Sequence, residues 1–162
     1  MEDKQITLVS SDGEKMKISA KAAQRSNLVK GIIEDYPDDA EVPLTNVKSG
    51  VLKKVKEYLD HYADGDIREI ERPLISANYQ ECVDPWDYEY INLDLDTVFE
   101  IILAANYMDI KPLLELASSK IASVIKGKSP EEIRKTFNIQ NDFTPEEEAQ
   151  IREENQWCMD NL

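Results

Sequence analysis

Histidine, cysteine and long apolar runs are all scarce in this chain of 162 residues. The single histidine, His61, has no second ligand or nucleophile at a supporting spacing, which argues against a metal site or a catalytic base there. The cysteines, Cys82 and Cys158, lack the paired spacing of a metal or redox motif, which favours a reducing compartment. No apolar run approaches the roughly 20 residues that span a bilayer, and the start shows no charged-then-apolar leader. These features predict a soluble protein that makes no membrane contact.

Positive charge is also scarce. The chain has 33 acidic and 19 basic residues and a net charge of -14, and no Lys or Arg lies between Arg72 and Lys111. Such a surface repels phosphate backbones, so direct nucleic-acid binding is disfavoured. The length suits one domain of ordinary size with a small appendage.

The order of predicted elements indicates an α+β fold. Alternating apolar residues around a turn predict a β-hairpin over residues 4–19, and residues 41–44 predict a short third strand. Apolar spacing then predicts helices only. The helix around 99–105 is apolar nearly all round and is therefore expected at the centre of the fold. Residues 63–89 show no sustained period and predict a long, acidic, mobile connection. The remaining helices are predicted at 20–24, from Ser26 to before Pro37, at 51–62, and from Pro112 to a glycine cap at Gly127.

Two helices near the C-terminus are predicted to begin with the same capping motif. Ser129 and Thr144 each stand before Pro-Glu-Glu, which predicts a capping box with proline at the first helical position. The second of these helices has almost no apolar face before Trp157 and Cys158. Either these residues close a small core with the apolar side chains before them, or they form an incomplete core that awaits a partner. Those preceding side chains are Ile133, Phe137, Ile139 and Phe143.

Patterns that could carry chemistry have simpler explanations. Gly127-Lys128-Ser129 resembles the end of a phosphate-binding loop, but Ala122 stands where that motif needs glycine. Asp94 and Asp96 lack calcium-loop spacing and fit helix capping or solvation better. Cys158 beside Trp157 is expected to pack as a small hydrophobic residue rather than to react. Neither catalysis nor a metal or other cofactor is therefore predicted.

Several stretches together resemble the Skp family of adaptors, the S-phase-kinase-associated subunits of the Skp, cullin and F-box ubiquitin ligases. They read IILAANYMDI at 101–110, IKGKSPEEIRKTFNI at 125–139, NDFTPEEE at 141–148 and ENQWC at 154–158. SSDGE at 10–14 and VPLTNV at 42–47 also fit, so the likeness covers nearly the whole chain. The acidic stretch at 63–89 matches only weakly.

The resemblance implies a BTB/POZ fold over residues 1–125, with a small three-stranded sheet, a helical cluster and the acidic insert. A C-terminal F-box-binding region at 112–162 would share the helix at 112–126. The same likeness makes Asn106 and Tyr107 candidates for the cullin face. Pro145 stands where some protist members carry a hydroxylated and glycosylated proline, although helix initiation also explains it. The candidates for the F-box face are Leu114, Ile121, Phe137, Ile139, Trp157 and Cys158.

The implied function is that of a non-catalytic adaptor that bridges a cullin to interchangeable F-box substrate receptors. A RING subunit and a ubiquitin-conjugating enzyme would be indirect partners, and the free chain could form a homodimer. The implied location is the cytoplasm and nucleus. Three alternatives remain open: another BTB-type scaffold, an acidic chaperone of basic proteins, and a hydrolase that uses a carboxylate pair such as Asp94 and Asp96.

Overall fold

A computed structural model describes residues 4–38 and 41–159, and it divides the chain into two compact units that meet in sequence at Lys126 and Gly127. The first unit contains the sheet and most helices. The second consists of short helices.

The sheet is built on the predicted hairpin. Strand β1 (Gln5–Val9) pairs antiparallel with β2 (Lys15–Ser19), and β3 (Glu41–Pro43) pairs parallel with β1, which gives the order β2-β1-β3. Alternate side chains point to the core because successive residues of a strand face opposite sides. The buried members of the hairpin are Ile6, Leu8, Met16 and Ile18.

Three helices follow the strands. Helix α1 spans Ala20–Ala23, α2 spans Asn27–Asp35 and α3 spans Ser49–His61. The N-cap residue of α3 provides no side-chain hydrogen bond, and Asp12 from the hairpin turn replaces it by accepting from the Ser49 backbone N–H at 2.9 Å and its hydroxyl at 2.6 Å. Hydrogen bonds from Ser10 and Ser49 hold the pKa of Asp12 well below its usual range.

Residues 63–89 are more ordered in structure than their sequence predicts, because the last part of this stretch forms a 3-10 turn at Tyr79–Glu81 and helix α4 at Pro85–Ile91. The Tyr79 hydroxyl lies 2.7 Å from the Ser119 hydroxyl, and burial raises the pKa of Tyr79 to about 12. The sequence predicted only a long, acidic, mobile connection here and missed these two helical elements, while its mobility stays a prediction. Its buried side chains have no helical or strand period, so no pattern in the sequence reveals them.

Helices α5 (Leu95–Tyr107) and α6 (Lys111–Ile125) pack against each other, and α5 also packs against α3. The α5 helix buries Val98, Ile101, Ala104 and Ala105. Its Phe99 and Leu103 are 40% and 70% exposed, which corrects the expectation that this helix is enclosed on all sides. Helix α5 therefore lies at the surface of the first unit, with one apolar side packed inward and Phe99 and Leu103 exposed on another.

The second unit consists of α7 (Pro130–Phe137), α8 (Pro145–Glu154) and α9 (Gln156–Met159). Both predicted capping boxes are confirmed, with Ser129 paired to Glu132 and Thr144 paired to Glu147. The Arg152 guanidinium forms ion pairs with Glu131 of α7 and Glu148 of α8. No residue from 127 to 158, all of which the structure describes, is buried. Caps and ion pairs rather than an apolar core therefore define these helices.

Candidate protein-binding surfaces

One face of α6 carries two of the residues predicted to meet an F-box. Leu114 and Ile121 are seven positions apart, so they lie on the same side of the helix, and both are half-buried. Ser118 and Ala122 occupy the same side and are exposed. The opposite side buries Leu113, Leu116 and Ala117 in the core. The helix is thus anchored by one face and presents the other.

The second unit carries the rest of the predicted F-box set on an open apolar surface. Ile139 is 55% exposed and Trp157 is 69% exposed, whereas Phe137 and Cys158 are half-buried. Phe143, one of the apolar residues that precede Trp157, is 50% exposed. Of the two interpretations left open by the sequence, these exposures favour an incomplete core over a closed one.

The turn after α7 places two of these side chains close together in the chain. Asn138 adopts the left-handed conformation with φ 53°, and the Ile139 N–H donates to the Arg134 carbonyl at 2.8 Å. This pattern ends a helix and fixes the direction of the residue that follows. Phe137 is thereby held at the end of α7 and Ile139 in the first turn beyond it. The α6 pair belongs to the other unit, so a single surface made by both sets stays a prediction.

The end of α5 carries the residues predicted to meet a cullin. Asn106 is exposed, and Tyr107 is half-buried with its hydroxyl 3.4 Å from the Thr45 hydroxyl. Phe99 and Leu103 lie on the same side at helical spacing and extend this surface along the helix. Sequence reasoning missed these two residues because it placed the whole of α5 in the core. The available signal was the excess of apolar residues, more than one core-facing stripe requires.

Comparison with known proteins identifies the family. A family model described as Skp1 family, tetramerisation domain matches residues 4–64, and one described as Skp1 family, dimerisation domain matches residues 111–158. The chain belongs to the Skp1 family. The fold class predicted from the sequence, α+β with a POZ-type domain, is thereby confirmed.

Curated relatives of this Skp1-family chain match over nearly its full length. The S-phase kinase-associated protein 1 homolog of Tetrahymena thermophila is 50% identical over 154 residues, which are 94% of this chain and 93% of the relative. The E3 ubiquitin ligase complex SCF subunit sconC of Arthroderma benhamiae is 50% identical over 154 residues, 94% of each chain. The protein of the same name from Emericella nidulans is 46% identical over 161 residues, 99% of each chain.

The matched regions include only part of the candidate surfaces. The α6 face and the second unit fall within residues 111–158, whereas Phe99, Leu103, Asn106 and Tyr107 lie between the two matches. Residues 65–89 of the insert also lie between them. The roles of these individual residues remain predictions for this Skp1-family protein.

Pro145 is the first residue of α8 and is exposed. Thr144 before it accepts a hydrogen bond from the Glu147 N–H at 3.2 Å, so helix initiation accounts fully for the proline. Its exposure leaves the ring open to a modifying enzyme, and the modification itself stays a prediction.

The residues considered for chemistry have structural roles. Asp94 is the N-cap of α5, where hydrogen bonds from the Thr97 hydroxyl and N–H lower the pKa of the carboxyl. Gly127 adopts φ 76° just after α6, and the Ser129 hydroxyl caps α7. Among the described residues, no group of three or more His, Cys, Asp and Glu side chains could hold a metal ion, and no helix is long and apolar enough to cross a membrane.

A buried carboxylate is the main electrostatic feature that the sequence did not reveal. Asp87 of α4 is 4% exposed and accepts a hydrogen bond from the Tyr62 hydroxyl at 2.6 Å. Burial raises the pKa of Asp87, the bond from Tyr62 opposes this rise, and the neighbouring Asp84 adds to it. Beside this pair the His61 ring stacks on Trp86 with centroids 3.7 Å apart. The cluster joins α4 to α3 and explains the lone histidine without catalysis.

Proposed function

We propose that this chain is a non-catalytic adaptor that links a cullin to F-box substrate receptors in an SCF-type ubiquitin ligase. One observation carries the proposal: the second unit exposes large apolar side chains, and none of its residues from 127 to 158 is buried. An F-box would supply the apolar surface that this unit lacks. The name SCF subunit that its relatives bear supports the same assignment.

The F-box face comprises the six predicted residues, divided between α6 and the second unit. Full burial of an aromatic side chain contributes about 2 to 3 kcal/mol before ordering costs. Trp157 and Ile139, both largely exposed in the free chain, have the most surface left to bury. The six residues are Leu114, Ile121, Phe137, Ile139, Trp157 and Cys158.

The cullin face comprises Asn106 and Tyr107, and we add Phe99 and Leu103 to it. These four residues lie on one side of α5, within the unit that contains the sheet. The RING subunit and the ubiquitin-conjugating enzyme are indirect partners through the cullin. The complex acts in the cytoplasm and nucleus, and a chain free of F-box protein hides its apolar surface by pairing with a second copy.

Paired point variants of the tagged chain test the proposal in cell lysate with mass spectrometry of the captured proteins. We expect Trp157→Ala to lose F-box proteins and keep the cullin, and Leu103→Asp to lose the cullin and keep F-box proteins. The matched control is Lys17→Ala on the exposed face of β2. If the unmodified chain captures neither class, the adaptor assignment is wrong.

The acidic-chaperone alternative rests on the net charge of -14. A chaperone held by charge would release its basic clients as salt rises, whereas an apolar F-box interface would not. The apolar exposure of the second unit favours the adaptor, because charge attraction alone does not use exposed Trp157 or Ile139.

A further inference from the structure

A cavity of about 620 Å³ lies in the first unit between the segment 70–74 of the insert and helix α6. Its volume is within the range of pockets that bind ligands or partner side chains. One wall contains Ile70, Pro73 and Leu74, and the other contains Leu114, Ser118 and Ala122.

The insert wall is fixed in place by several contacts. Ile70 and Leu74 are half-buried and pack against the core. The Arg72 guanidinium lies 3.4 Å from the Glu115 carboxylate of α6, and the Lys126 ammonium donates to the Leu74 carbonyl at 3.1 Å. Side chains from the start of α6 and from just past its end thus hold the segment, and the cavity lies between the segment and the helix.

The cavity opens on the face of α6 already assigned to the F-box. Leu114 is both a cavity wall and an F-box candidate, and Ile121 lies three positions after the cavity-lining Ser118, at its edge. An F-box helix that contacts Leu114 would therefore lie at the edge of the opening. The inference therefore rests on the proposed function.

The edge of the cavity differs in charge from the rest of the molecule. Three cations, Arg72, Lys111 and Lys126, line it together with Glu71 and Glu115, in a chain whose net charge is -14. Within the described residues Lys111 has no carboxylate at ion-pair distance. A partner that places a carboxylate beside an apolar side chain matches both features of the site.

We propose that this cavity receives an apolar side chain of the F-box partner, flanked by an acidic residue that meets Lys111, and that residues 70–74 help to select among F-box proteins. The segment lies outside both regions that match the family models, which end at residue 64 and begin again at residue 111. Selectivity of this origin belongs to the insert rather than to the helices that the family models describe.

The test measures the affinity of purified F-box domains, taken from two F-box proteins that the unmodified chain captures, for single variants of the full chain. Leu74→Ala removes part of the cavity wall, and Ile75→Ala is its matched control, because Ile75 is 56% exposed and does not line the cavity. We expect Leu74→Ala to weaken binding about 5- to 10-fold, unequally for the two domains, and Ile75→Ala to have no effect.

A second variant tests the charge. We expect Lys111→Gln to weaken binding of a domain that has the acidic residue, and we expect this loss to shrink at high salt, where the attraction is screened. Thermal melting of each variant checks that the fold is intact. A Leu74→Ala variant that does not fold is replaced by Leu74→Met, which keeps the volume but changes the shape of the wall and should shift selectivity between the domains.

The outcomes separate this inference from the adaptor assignment. If Trp157→Ala weakens F-box binding while the Leu74 and Lys111 variants bind like the unmodified chain, the cavity proposal is overturned and the adaptor stands. If Leu74→Ala strengthens binding, the segment competes with the F-box and the proposal is equally overturned. If Trp157→Ala has no effect on any F-box domain, it is the adaptor assignment that fails.

Discussion

Asp87 shows how a single residue can link two helices at an electrostatic cost. Its carboxylate is 4% exposed, and the Tyr62 hydroxyl donates to it at 2.6 Å. A buried charge requires partners because desolvation penalises the ionised form. The same burial, together with the negative charge of Asp87, raises the pKa of Tyr62, which keeps this hydroxyl protonated as a donor. The two groups are therefore hydrogen-bonded to each other, but burial still favours the neutral form of the Asp87 carboxyl.

We predict that Asp87→Asn raises the free energy of unfolding at pH 7. The folded pKa of Asp87 lies above the unfolded value of about 3.9, so the stability linked to the protonated form is present below that value and is lost as pH rises through the folded pKa. An asparagine oxygen still accepts from Tyr62 and carries no charge. Urea unfolding from pH 3.5 to 7.5 should show that the free energy of unfolding of the variant increases relative to that of the unmodified chain as pH rises.

Asp94→Asn is the control for this prediction, because the pKa of Asp94 is lowered and the linkage has the opposite sign. The free energy of unfolding of the unmodified chain should increase relative to that of Asp94→Asn as pH rises. Tyr62→Phe removes the donor and should cost about 1 to 3 kcal/mol, with a smaller loss in the Asp87→Asn background. Parallel pH profiles for Asp87→Asn and Asp94→Asn would contradict the role given to burial.

At the scale of elements, local signals were predictable and long-range packing was not. The capping boxes at Ser129 and Thr144 and the hairpin around Asp12 depend on residues within a few positions of each other. The order in the insert depends on Tyr79 meeting Ser119, forty residues away, which no periodicity reveals. The outward face of α5 was missed for a related reason: composition indicates that a helix is apolar, but not which side a partner will cover.

Some residues of the candidate site were predictable from the sequence, and others required the fold. Resemblance supplied Leu114 and Trp157. The lack of an apolar stripe in α8 left a closed core and an unfinished core as alternatives, and only the exposures in the structure favour the unfinished one. Phe99 and Leu103 required the fold, because their exposure follows from how α5 lies on its neighbours. The cavity wall at Leu74 also required the fold, since no pattern in the sequence places the insert beside α6.

We predict that Thr144→Ala lowers the protection of the α8 amides in the free chain. An N-cap replaced by alanine costs about 1 kcal/mol, and α8 has no buried face to offset the loss. If α8 must be helical to bind an F-box, affinity should fall by roughly the same free energy, about fivefold. Hydrogen exchange over 146–154 and titration with an F-box domain measure the two effects.

Thr45→Ala, at an exposed threonine outside any helix, provides the matched control for Thr144→Ala. It should alter neither exchange over α8 nor F-box affinity. Unchanged exchange in Thr144→Ala would contradict the view that capping, rather than packing, holds this helix.

The whole molecule combines a strongly acidic surface with apolar side chains that are exposed on α5 and in the second unit. A net charge of -14 keeps copies of the chain apart at long range, whereas the exposed side chains of α5 and of the second unit favour close contact. Salt shortens the range of the repulsion from about 8 Å at 0.15 M to about 3 Å at 1 M and leaves the apolar attraction in place. Salt concentration alone can therefore distinguish binding by charge from binding by apolar contact.

We predict that F-box binding changes by no more than about threefold between 0.15 and 1 M NaCl, because the interface buries apolar side chains such as Trp157 and Ile139 and screening acts mainly on exposed charges. Poly-lysine, which can be held only by charge, should dissociate over the same range and provides the comparison. Calorimetry at each salt concentration measures both. If the F-box domain and poly-lysine are released in parallel, the chain binds by its acidic surface, and the acidic-chaperone alternative replaces the apolar F-box interface.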